Sequence, residues 1–105
     1  MAERVNKDNF QEKALQPGKL TLLEFYSDGC IPCKKMAPVL AQIEESFGDK
    51  LYVGKINVAY EQELVGKYNV MSSPTIVFLK DGVQLEKLTG AVKAEVLEKI
   101  IHDNL

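Results

Sequence analysis

Apolar and polar positions along the chain follow two different periods. Leu20 to Tyr26 is an almost unbroken apolar run holding one acid, Glu24, which reads as a strand covered on both faces. Met36, Leu40, Ile43 and Phe47 recur at helical spacing, so Cys30 to Phe47 is predicted to be a helix with one buried face, kinked at Pro38. Leu51 to Val58 and Thr75 to Leu79 read as two further buried strands. Asp81-Gly82 is a strong hairpin signal and turns the chain into Val83 to Leu88, where a slip of the alternation at Glu86-Lys87 suggests a bulge. Gly90 ends that strand. Three shorter amphipathic helices complete the pattern. Residues 7–15 turn Phe10, Ala14 and Leu15 inward. Glu61 to Tyr68 is followed by Asn69 as a left-handed cap. Lys93 to Asn104 turns Val96, Leu97, Ile100 and Ile101 inward but has no good N-cap residue at Val92. The order α β α β α β β α, with parallel crossovers and one hairpin, predicts an α/β fold: a central mixed sheet flanked by helices on both faces.

Composition narrows the class. With 105 residues the expectation is a single domain spanning residues 1–105. Hydrophobic residues at 46% and charged residues at 27% suit a globular protein and argue against long disorder, collagen or coiled coil. No apolar run approaches the ~20 residues of a membrane span. A net charge of -2 without basic clusters makes nucleic acid and anionic membranes unexpected partners. Met1 to Phe10 is polar and holds no apolar signal core, so a cytoplasmic protein is expected.

The two cysteines carry the chemistry. Cys30-Ile31-Pro32-Cys33 follows a predicted strand and opens a predicted helix. A helix N-terminus offers unpaired N–H groups and about half a positive charge, both of which favour a thiolate at Cys30. Cys33 lies one turn on, faces inward and is within disulfide reach, and Pro32 suits the first turn, where no N–H is needed. Two inert core cysteines, or half of a metal site, remain open readings. An internal zinc site is poorly supported, because such a site wants four ligands and the single histidine, His102, lies on the last helix. Glu24 is the second informative residue. An acid inside a doubly covered strand is costly unless it has a partner or a task, and burial raises its pKa; the alternative is an acid turned outward at a strand end. His102 reads as a solvent-facing residue, Met36 and Met71 as packing residues, and Glu61, Glu63 and Lys67 as a solvated face.

Phe25, Cys30-Ile31-Pro32-Cys33-Lys34, Ala37-Pro38, Lys55, Ser73-Pro74-Thr75, Asp81-Gly82 and Gly90 stand in the order and spacing of the thioredoxin family, which the chain resembles from about residue 7 to its end. The resemblance implies the thioredoxin fold and a protein dithiol–disulfide oxidoreductase. Cys30 would attack a substrate disulfide and Cys33 would resolve the mixed disulfide. Glu24 would stand for a buried Asp that relays a proton with Cys33, and Lys55 would match a lysine near that acid, although a surface lysine is an equal reading. Pro74 would be a cis proline packed against the disulfide, rather than a trans proline at a strand start. Gly29, Ile31, Pro32, Ser73, Pro74, Gly90 and Ala91 would bind substrate, with the Ser73 backbone free to pair with an extended segment. The resemblance further implies a monomer with no bound cofactor or metal, recharged by a flavoprotein thioredoxin reductase.

The chain also departs from the common pattern. Gly29 and Tyr26 replace tryptophans, Ile31 replaces a glycine, Ala59 stands where an acid is frequent, and only Glu3-Arg4-Val5 is available for a first strand. The Gly-Cys-aliphatic-Pro-Cys motif resembles variant thioredoxins of anaerobic amino-acid-fermenting bacteria. Three other functions therefore stay open: a binding subunit without turnover, an electron donor dedicated to one anaerobic reductase system, and a metal bridge shared between two chains.

Overall fold

The computed structural model describes residues 2–105. Its elements, in chain order, are β1 (Glu3–Arg4), α1 (Phe10–Ala14), β2 (Leu20–Tyr26), α2 (Ile31–Phe47), β3 (Leu51–Asn57), α3 (Gln62–Lys67), β4 (Thr75–Lys80), β5 (Val83–Thr89) and α4 (Ala94–Asn104). A 3-10 turn at Gly48–Lys50 links α2 to β3. The strands form one mixed sheet in the order β1-β3-β2-β4-β5. β1, β3 and β2 run parallel, while β4 pairs antiparallel with β2 and with β5. The predicted mixed sheet with helices on both faces is the observed fold.

Strand alternation assigns each side chain to a face. Leu20 and Leu22 of β2, with Leu51 and Val53 of β3, join Met36, Leu40, Ile43 and Phe47 of α2 and Leu97 and Ile101 of α4 in one core. Leu23 and Phe25 of β2, with Ile56 of β3, join Phe10 and Ala14 of α1 and Leu64 of α3 in the other. Glu24 has the parity of Leu20 and Leu22 and so points toward α2. Gly54 belongs to the opposite face, where a Cβ would lie 2.7 Å from Val5 Cγ2 and 3.0 Å from Tyr52 Cε2. Only glycine admits Val5 at that place.

α2 runs through Pro38 in one piece. Pro38 has no N–H to donate to the Lys34 carbonyl, and both residues lie on the exposed side of the helix. Asp81 and Gly82 have φ of 51° and 79°, as a two-residue hairpin of matching twist requires. Asn69, with φ of 53°, is the left-handed residue expected after α3. His102 is exposed as expected and stands edge-on to Phe47, with ring centroids 5.2 Å apart.

The sheet begins with β1, the short first strand for which Glu3-Arg4-Val5 is available, pairing with β3 through only Glu3 and Arg4. Three expectations need correction. The β4–β5 register slips between Phe78, paired with Glu86, and Leu79, paired with Gln84, so the extra residue is Leu85 and not Glu86-Lys87. Val96 is 43% exposed, because Leu97 and Ile101, one turn apart, set the inward stripe of α4 and Ile100 only flanks it. Met71 is 86% exposed: it sits in the loop between α3 and β4, where no helical or strand period governs which way a side chain points.

Candidate functional site

Cys30 is the N-cap of α2, in extended backbone with φ of -76° and ψ of 109°. Its Sγ accepts the backbone N–H of Cys33 at 3.2 Å. Sulfur thus takes the place that a Ser or Asp oxygen takes in an ordinary cap. Pro32 occupies the first turn, and no acidic side chain lies there to offset the positive end of the helix. Cys30 and Cys33 are joined by a disulfide across a Cα–Cα separation of 5.2 Å. Cys30 is partly exposed, whereas Cys33 is buried. The pair therefore presents one sulfur toward solvent and keeps the other inside.

Three segments are laced together at this end of the sheet. The Ser27 and Ser73 hydroxyls lie 2.9 Å apart, joining the chain before Cys30 to the loop before β4. The Ser73–Pro74 peptide bond is cis. The Pro74 carbonyl accepts the N–H of Gly90 at 2.8 Å, which ties that loop to the end of β5. Val92 N–H then donates to Met36 Sδ at 3.4 Å, returning to α2. Of the residues the sequence assigned to substrate contact, Gly29, Ile31, Pro32 and Ala91 are exposed, Ser73 and Gly90 are half-buried, and Pro74 is buried. Ile31 is 66% exposed, an isoleucine presented to solvent beside the cysteines. Gly29 has a φ of 79° with open space around its missing Cβ, a conformation that disfavours larger side chains.

Beside Cys33 lies a cavity of about 310 Å³. Glu24 and Cys33 both line it, together with Tyr26, Lys55, Lys34 and Asp28. Glu24 is only 5% exposed, and its Oε2 is buried without a hydrogen-bond partner among the described residues. Loss of hydration raises its pKa to about 7, against the opposing pull of the Lys55 ammonium. The reading of an acid turned outward is thereby excluded. Glu24 and Lys55 are register neighbours on parallel strands. The Lys55 ammonium lies 5.4 Å from the centre of the Tyr26 ring. The Tyr26 hydroxyl in turn accepts from Arg4 Nε at 3.1 Å and Nη2 at 2.8 Å.

In the sequence Arg4 is marked only as part of a short first strand, and Tyr26 reads only as a substitute for a tryptophan. Their meeting joins β1 to the end of β2, with Lys55 of the intervening β3 beside them, and no local spacing announces it.

A helix-capping sulfur, joined to an inner sulfur that shares a cavity with a buried carboxyl, is the equipment of a thiol–disulfide oxidoreductase. Comparison with known proteins agrees. The family model described as Thioredoxin matches residues 1–103. The chain is 42% identical to thioredoxin of Bacillus subtilis (strain 168) over 86 residues, which is 82% of this chain and 83% of that protein. It is 38% identical to thioredoxin of Alicyclobacillus acidocaldarius over 97 residues, 92% of this chain and 91% of that one. The crystal structure of Malassezia sympodialis thioredoxin (Mala s 13) shares its fold with a TM-score of 0.87, covering 99% of this chain and 90% of that one at 24% identity. The chain belongs to the thioredoxin family and is a dithiol–disulfide oxidoreductase. Proteins of this family typically accept electrons from thioredoxin reductase and reduce disulfide substrates. Among the described residues, no helix is long and apolar enough to cross a membrane.

Proposed function

We propose that Cys30 is the attacking thiolate, Cys33 the resolving thiol and Glu24 the group that exchanges a proton with Cys33. The observation that carries this reading is the position of Cys30 Sγ as the cap of α2, accepting a backbone N–H at 3.2 Å. A thiolate there gains a charge-assisted hydrogen bond and the field of the helix N-terminus.

In the first step the Cys30 thiolate attacks one sulfur of a substrate disulfide. A Cys30–substrate bond forms, the substrate S–S bond breaks, and the other substrate sulfur leaves as a thiolate. In the second step Cys33 passes its proton to Glu24 and attacks Cys30 Sγ. The internal disulfide forms and the remaining substrate sulfur leaves. Two electrons have moved from the dithiol to the substrate. A titration near pH 7 suits Glu24 to take that proton at neutral pH, and Lys55 tunes it.

Exposed Ile31, Gly29, Pro32 and Ala91, with Ser73, Pro74 and Gly90 between them, form the docking rim for an extended protein segment. A flavoprotein thioredoxin reductase recharges the disulfide, and the protein acts in the cytoplasm as a monomeric single domain. The test is Cys33→Ser, which is expected to accumulate a mixed disulfide on Cys30 when mixed with oxidised insulin. Retention of full insulin reduction by Cys30→Ser would overturn the scheme.

A further inference from the structure

Three strands bring three side chains together beside Glu24. Arg4 of β1 and Glu24 of β2 are the two register neighbours of Lys55 on β3. Tyr26 follows Glu24 by two residues, so its ring and the carboxyl share a face of the sheet. The guanidinium of Arg4 fixes the Tyr26 hydroxyl with two hydrogen bonds, at 3.1 and 2.8 Å, and the Lys55 ammonium rests over the ring, 5.4 Å from its centre. Among the described residues Lys55 closes no ion pair with Glu24, although the two are strand neighbours, and Glu24 Oε2 stays without a hydrogen-bond partner.

The alternative arrangement is a buried ion pair. A carboxylate held by an ammonium at contact distance is fixed in its charged form and is a poor acceptor for a thiol proton. A cation over a ring face keeps most of its charge at a distance and leaves the acid to titrate.

We propose that Tyr26 is a positioning residue: anchored by Arg4, its ring face holds the Lys55 ammonium off the Glu24 carboxyl and so keeps that carboxyl free to exchange a proton in the cavity it shares with Cys33. The inference rests on the role given to Glu24 above. Other groups facing the carboxyl do not supply this control. Cys33 from α2 is neutral in the disulfide, Ile76 of β4 is apolar and pairs with Glu24, and Lys34 and Asp28 on the cavity wall are both exposed to water.

The experiment is a carbon-13 NMR titration of the Glu24 side-chain carboxyl in the full oxidised chain. In Tyr26→Leu the midpoint is expected to fall by about one pH unit as Lys55 closes on the acid. In Tyr26→Leu combined with Lys55→Gln, compared with Lys55→Gln alone, the fall is expected to be less than half as large. Tyr26→Trp, which restores a ring face but offers Arg4 no acceptor, is expected to bring the midpoint back only as far as that of Arg4→Gln. Arg4→Gln alters an exposed residue and leaves the cavity wall intact; it is expected to give a smaller fall that Lys55→Gln abolishes. Equal falls with and without Lys55, or no fall in either Tyr26→Leu or Arg4→Gln, would overturn the proposal. The NMR midpoint reads the placement of Lys55 whatever Glu24 does in thiol exchange. Failure of the proton-exchange role appears separately, as an unchanged pH–rate profile in Glu24→Gln.

Discussion

The buried carboxyl makes a prediction about stability with a definite sign. Glu24 titrates near its ordinary value of 4.5 in an unfolded chain and at about 7 in the folded one. The folded state therefore binds more protons between those pH values, and its stability falls as pH rises through them. Below pH 4.5 the acid is neutral in both states and costs nothing. Above pH 7 the folded protein carries a charge that burial disfavours. At ~1.4 kcal/mol per pH unit the gap corresponds to at most about 3 kcal/mol, and allowing for solvent screening at a carboxyl that lines a cavity the expected figure is about 2 kcal/mol. The perturbation is Glu24→Gln, which keeps the shape and removes the titration. Both proteins, in the oxidised form, are unfolded in urea at pH values from 4 to 8.5. The constant cost of burying an amide cancels when only the change with pH is compared. Relative to wild type, Glu24→Gln is expected to gain about 2 kcal/mol between pH 4 and pH 8, a relative shift of roughly 1–2 M in urea midpoint. Parallel curves for the two proteins across this range would refute the reasoning, since they would mean that Glu24 ionises alike in folded and unfolded chains.

The remaining predictions concern packing and the docking rim. Gly54→Ala places a methyl 2.7 Å from Val5 Cγ2 and is expected to cost about 1–3 kcal/mol by overpacking; urea unfolding in a Val5→Ala background is expected to show most of that loss relieved. Phe78, fully buried between the sheet and α2 and α4, is expected to cost about 3–5 kcal/mol on truncation to alanine, read in the same assay. Ile31→Gln changes an exposed side chain and is expected to alter stability by less than about 0.5 kcal/mol, while raising KM for a protein disulfide substrate in a coupled reduction assay.

Much of the fold was legible because its elements bury whole faces. The bounds of β2 follow from the apolar run Leu20 to Tyr26, and the inward face of α2 from Met36, Leu40, Ile43 and Phe47, since burial of that stripe is what holds the helix in place. The hairpin was legible because Asp81-Gly82 suits positive φ. β1 was legible only as the stretch Glu3-Arg4-Val5 left for a first strand, because two residues added by backbone pairing alone carry no hydrophobic period. Leu85 was missed as the bulged residue because β5 is an edge strand with both faces partly wet, so its alternation is weak evidence of register. Met71 and Val96 were misplaced because apolar character alone does not fix direction in a loop or at the flank of a helical stripe.

The chemical site was legible at the cysteines and at Glu24, where a residue type conflicts with its surroundings unless it has a task. The relation of Lys55 to Tyr26 and Arg4 was not legible. It arises from three strands meeting in space, and none of the three residues is unusual in its own segment.

The most direct test of the account is the pH dependence of Cys30 alkylation in the reduced protein, measured with iodoacetamide in a Cys33→Ser chain. If the sulfur caps α2 and draws on its N-terminus, the rate titrates with a midpoint at least one pH unit below the ~8.5 of an ordinary thiol. A midpoint at or above that ordinary value would contradict the claim that the helix makes Cys30 the nucleophile.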